Sequence, residues 1–113
     1  MPYINTTTTA KITDEVKERL TKELGEAITL IPGKSEEWLM LNFAGGSAMA
    51  HRGTLGDCCM IEVSIFGSAT SEAYDALTAR LCEIVAKELG IPANRTYVKY
   101  TECDRWGWNG INF

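Results

Sequence analysis

The sequence predicts an α/β fold, a four-stranded sheet with two helices on one face, built from one β-α-β unit written twice. Three observations predict it. Two one-sided apolar helical stripes recur along the chain, each is followed by similar punctuation, and each is flanked by short runs of strand character. The punctuation reads Ile31-Pro32-Gly33-Lys34 in the first copy and Ile91-Pro92-Ala93-Asn94 in the second, an offset of sixty residues. A chain of 113 residues with 45% hydrophobic side chains fits one domain over residues 1–113, with repeats of about 1–57 and 58–113.

The first strand runs from Tyr3 to Thr8. The first helix places Val16, Leu20, Leu24, Ala27, Ile28 and Ile31 on one face, with Glu, Lys and Arg opposite, so it lies flat on a sheet. A strand from Trp38 to Phe43 closes the first copy. The second copy opens with a strand from Met60 to Phe66. Its helix carries the stripe Ala73, Leu77, Leu81, Ile84, Val85 and Leu89, capped by Thr70 or Ser71 and ended by Gly90, a residue that accepts the left-handed conformation. Thr96 to Thr101 is the last strand. Strand, helix, strand with short loops is a parallel crossover, right-handed in nearly all proteins, which puts both helices on the same face.

The second face is then uncovered. Cys59, Ile61, Val63 and Ile65 point one way and Met60 and Phe66 the other, while Trp38 to Phe43 is apolar on both sides. Packing against further copies of the chain is the simplest cover, with edge segments Ala48 to His51 and Trp106 to Phe113 pairing across subunits. A closed homo-oligomer is expected, its number open.

Charge and cysteine usage narrow the function. The formal charge is −4 and the 11 Lys and Arg are scattered, which argues against a nucleic-acid partner. No secretory signal opens the chain, and no stretch is long or apolar enough for a membrane span, so the cytosol is the default location. Cys58, Cys59, Cys82 and Cys103 form neither C-x-x-C nor a zinc-ligand spacing, and His51 is the only histidine. Reduced, buried or half-buried thiols are expected, with no metal and no cofactor.

One residue invites chemistry. Pro2 follows Met1, and a small residue there permits methionine removal, leaving a secondary amine as the chain terminus. An α-amino group titrates at roughly pH 8, and desolvation or a nearby cation favours its neutral form. Such an amine takes a proton from carbon next to a carbonyl. Lys34, in a loop the repeat brings toward the first strand, is a cation able to depress that amine and hold a carboxylate. The alternatives are a proline that merely opens an edge strand and a solvated loop lysine.

The start Met1-Pro2 with Asn5-Thr6, the loop Gly33-Lys34, Ser64-Ile65, the segment Asn94-Arg95-Thr96-Tyr97-Val98 and the end Gly107-Trp108-Asn109-Gly110-Ile111-Asn112-Phe113 appear in this order along the whole chain. Together they resemble the macrophage migration inhibitory factor and D-dopachrome tautomerase family, part of the tautomerase superfamily. The resemblance implies the tautomerase fold: two pseudo-symmetric β-α-β units, a four-stranded mixed sheet, short edge strands and a homotrimer. It also implies a phenylpyruvate keto-enol tautomerase, and by extension a dopachrome tautomerase, with Pro2 as general base. Lys34 and the backbone amide of Ile65 would bind the carboxylate or enol oxygens of a small aromatic keto acid. Tyr97 would come from a neighbouring subunit, and Trp38, Trp108 and Phe113 would form an aromatic wall. Packing in the sheet and interface is the alternative for Tyr97 and Trp108.

The sequence departs from the family at Lys99, where a polar uncharged residue is common, and at Trp106, where a smaller apolar one is usual. Asp57-Cys58-Cys59-Met60 lacks the C-x-x-C of some vertebrate members, so no thiol-disulfide activity is carried over. The resemblance leaves a second function open, a cytokine-like ligand exported without a signal peptide and acting on a protein receptor. Superfamily dehalogenation, hydration or decarboxylation would need arginines beside Pro2, and Arg19, Arg52, Arg80, Arg95 and Arg105 are spread elsewhere.

Overall fold

The computed structural model of the protein describes residues 1–113. Strand β1 (Pro2–Thr8) leads through helix α1 (Asp14–Ala27) to β2 (Met40–Ala44); β3 (Ala50–His51) and β4 (Thr54–Leu55) form a small hairpin; β5 (Cys59–Phe66) leads through α2 (Ser71–Leu89) to β6 (Thr96–Cys103); and β7 (Gly107–Trp108) with β8 (Ile111–Asn112) forms a second hairpin. The four long strands make one mixed sheet in the order β2-β1-β5-β6. Each crossover is parallel, β1 with β2 and β5 with β6, and the two units join antiparallel through β1 and β5.

Alternation along the strands builds the core. In β5, Cys59, Ile61, Val63 and Ile65 are all buried while the residues between them are half-exposed. Ile4 and Thr6 continue that layer from β1, and Leu20, Leu24, Leu77, Leu81 and Ile84 descend from the helices onto it. Each such aliphatic side chain contributes ~1.5–3 kcal/mol of transfer free energy. Both helices are capped as their sequences suggest. The hydroxyls of Thr13 and Thr70 accept from the amides of Val16 and Ala73, and Gly90 ends α2 with φ of 69°.

Three expectations change. The first helix stops at Ala27 and tightens into a 3₁₀ turn over Ile28–Leu30, although Ile28 and Ile31 remain fully buried. The strand expected from Trp38 starts at Met40, because Glu36–Trp38 closes a 3₁₀ turn, with the Leu39 amide donating to the Glu36 carbonyl at 3.1 Å. The third concerns the open face of the sheet, which is not uniformly apolar. Its middle is the register row Asn42, Asn5, Glu62, Lys99, with the Asn42 amide donating to the Asn5 side-chain oxygen at 2.8 Å. Apolar residues lie toward its ends, Met40 beside Tyr3 and Met60 beside Tyr97. Residue pairs that face each other across strands always share a face, so polarity in one strand imposes the row. The segments read as edge strands form hairpins of their own and leave both edges of the sheet, β2 and β6, unpaired within the chain.

Candidate functional site

The N-terminal residues open into a cavity of about 810 Å³ lined by Met1, Pro2, Tyr3, Glu37, Trp38, Leu39, Met40, Trp106, Gly107 and Trp108. Two local structures put the aromatic wall there. The 3₁₀ turn after Ser35 presents Trp38, and the β7–β8 hairpin presents Trp108, turned by Asn109 and Gly110 at φ of 52° and 83°. The two indoles meet edge to face with centroids 5.0 Å apart, an arrangement favoured by their quadrupoles.

Pro2 is buried at the start of β1, opposite Ile65. Burial, helped by the Lys34 ammonium beside it, pushes the N-terminal amine of Met1 down from 8.0 to about 6. Lys34 is held in place because its Nζ donates to the Phe66 carbonyl at 2.6 Å. The loop therefore brings Lys34 to the N-terminus, as the repeat suggested.

The strand phase decides which backbone amides face the N-terminal residue. Phe66 N–H donates to the Met1 carbonyl at 3.0 Å, which makes Pro2 and Ile65 a non-hydrogen-bonded pair. Ile65 accordingly directs its own N–H away from β1 toward β6, and its side chain is in the core. The amide that faces the N-terminal residue is that of Phe66. A sequence gives no cue to this, because strand phase depends on which residues pair.

Phe113 and Tyr97 are not part of the cavity wall. Phe113 packs on Phe66, centroids 6.2 Å apart, and donates its amide to the Trp106 carbonyl at 2.8 Å. Tyr97 is 60% exposed and meets the His51 ring edge on at 4.8 Å. It pairs with Met60, at the end of the sheet remote from Pro2, whose row ends in Glu102. Five residues of strand separate Tyr97 from that row, roughly 16 Å at strand rise. Within one chain these two residues do not meet. Arg95 fixes the hairpin next to Tyr97, its guanidinium donating to the carbonyls of His51, Thr54 and Asp57 at 3.1, 3.2 and 2.7 Å.

Sequence reasoning missed Glu37 and Met40 as wall residues and saw Trp106 only as a departure. The signal available was proximity to Lys34 and Trp38 in the same turn.

The fold, two pseudo-symmetric β-α-β units with an amine-headed aromatic cavity at the chain start, defines the class. The family described as macrophage migration inhibitory factor matches residues 1–113, and the chain belongs to it. It is similar to the macrophage migration inhibitory factor of Xenopus laevis, 28% identical over 102 residues that cover 88% of this chain and 89% of the relative. The homolog from Brugia malayi is 24% identical over 115 residues, covering 100% and 99%. Among solved structures, the chain superposes on Leishmania major MIF2 with a TM-score of 0.93 at 28% identity, covering 100% of this chain and 97% of that one. Its fold also matches the Toxoplasma gondii macrophage migration inhibitory factor, with a TM-score of 0.91 at 23% identity and coverage of 98% and 99%.

Proposed function

We propose that the protein is a keto-enol tautomerase of small aromatic keto acids, of the phenylpyruvate type, with the amine of Pro2 as general base once Met1 is removed. The observation that carries this reading is the setting of the chain start: Met1 and Pro2 line an aromatic cavity, and burial together with the nearby Lys34 lowers the Met1 amine to about 6. A neutral amine at pH 7 accepts a proton from the carbon next to the keto group and returns it at oxygen. The same burial and the same cation act on a prolyl amine one residue further in.

Removing Met1 also takes away the carbonyl that Phe66 N–H now serves. That freed amide and Lys34 are then two donors for the carboxylate or enolate oxygens, in the role given to Ile65 by resemblance. Trp38 and Trp108 receive the aryl group. Tyr97, which does not reach Pro2 within one chain, would enter from a second copy in a closed homotrimer whose sites are shared between subunits. The unpaired edges of the sheet, β2 and β6, suit such an assembly.

The test is the intact mass of the purified protein followed by ultraviolet-monitored tautomerisation of phenylpyruvate, beside a Pro2→Gly variant. Loss of one methionine with activity that the variant lacks supports Pro2 as base. A processed protein without activity, or a variant as active as the parent, sinks the mechanism.

A further inference from the structure

The cavity contains a charge that the proposed proton transfer does not use. Glu37 is the single acidic side chain among the lining residues, set between the Lys34 loop and Trp38. It takes part in none of the four ion pairs of the chain, so its carboxylate has no cationic partner there. Its neighbour Glu36 turns the other way, over α1, where a Cβ on Gly25 would come within 2.6 Å of the Glu36 Oε2. The turn thus sends one acid back onto the helix and the other into the cavity.

We propose that Glu37 is a specificity residue, making the cavity prefer aromatic keto acids whose ring bears a cationic substituent at the end remote from the keto acid. This rests on the tautomerase reading. Two features converge on a cation. The carboxylate supplies an opposite charge, and the faces of Trp38, Trp106 and Trp108 attract cations through the ring quadrupole. The amine and Lys34 take the acid end of such a molecule, which leaves its substituent for Glu37. There is room for the substituent, since about 810 Å³ lies in the upper part of the roughly 300–1,000 Å³ range that holds whole small-molecule ligands.

The experiment compares kcat and KM for phenylpyruvate, 4-(aminomethyl)phenylpyruvate and 4-carboxyphenylpyruvate in the parent, Glu37→Gln and Glu37→Lys. The parent is expected to favour the cationic compound about 5-fold over phenylpyruvate through KM, the size an exposed charge pair gives, and less at high salt. In Glu37→Gln the ratio falls toward one, and in Glu37→Lys the carboxylate compound becomes the better substrate. A merely structural role for Glu37 would change all three substrates alike and would not respond to salt. Equal treatment of the three by the parent, or a preference that persists in Glu37→Gln, overturns the proposal. If no compound is turned over, the tautomerase reading fails by itself. Quenching of tryptophan fluorescence by the same compounds then gives dissociation constants, and their ratios decide the role of Glu37.

Discussion

Lys34 reaches across from its loop to the end of β5, where its ammonium donates to the carbonyl oxygen of Phe66 at 2.6 Å. The same residue, Phe66, offers its amide to Met1 at 3.0 Å. One peptide segment therefore locates both the cation and the chain terminus, so the charge that depresses the amine cannot drift from it without breaking a hydrogen bond. The Lys34 contact does not depend on Met1 and holds the cation at the same place when Pro2 is the first residue.

In the form that keeps Met1, burial and Lys34 push the amine at the chain start below its ordinary 8.0. The same direction is expected for the prolyl amine, so the acid limb of kcat/KM should lie below 8.0. The working form is the neutral amine, so activity falls as pH drops through that limb. In Lys34→Ala the depressing cation is gone and the limb moves upward toward 8.0, a shift read from pH profiles of the two proteins.

Blocking the amine should cost more than weakening the pocket. General-base catalysis supplies ~10²–10⁴-fold, so a chain that retains residues before Pro2 should lose activity on that scale while its circular dichroism is unchanged. Equal rates for the extended and processed forms would remove the amine from the mechanism.

Trp108→Ala deletes one half of the edge-to-face pair with Trp38. Such pairs contribute ~0.5–1.5 kcal/mol beyond buried area, so KM for phenylpyruvate should rise roughly 2- to 10-fold with kcat less affected. Steady-state kinetics of the variant test this.

Subunit complementation tests where Tyr97 acts. Pro2→Gly and Tyr97→Ala proteins, each with impaired sites, should recover activity when unfolded together and refolded as mixed oligomers. No recovery would confine the site to one chain.

The thiols should react in order of exposure. Burial pushes the Cys59 thiol up to about 12, and Cys58 is equally enclosed, whereas Cys82 and Cys103 are only half-buried. A chromogenic disulfide should label Cys82 or Cys103 in the native protein and reach Cys58 and Cys59 only on unfolding.

The two helices, their stop at Gly90 and the alternating strand β5 were legible in the sequence because each depends on local periodicity. The antiparallel join of β1 to β5 was not, since side-chain alternation reads the same in either direction. Pro2 and Lys34 could be brought together from the repeat alone. That the Phe66 amide is the one facing Met1 could not, because the direction of a strand amide is decided by the pairing partner. The apolar neighbours of Trp38 read as strand, whereas the Glu36 carbonyl accepts from the Leu39 amide and closes a turn there.

The repeat copies strands, helices and even the Ile-Pro punctuation, yet it cannot copy a beginning. At the place where β1 starts from the chain terminus, β5 starts from the ordinary peptide of Cys58 to Cys59. The two-fold repeat thus carries one chain start, so on the proposed mechanism each polypeptide offers one terminal amine and further ones come only with further chains. If the proposed base is right, the same asymmetry makes the first codons the most sensitive place for a fusion: a tag there would block the amine, while one after Phe113 would leave it free.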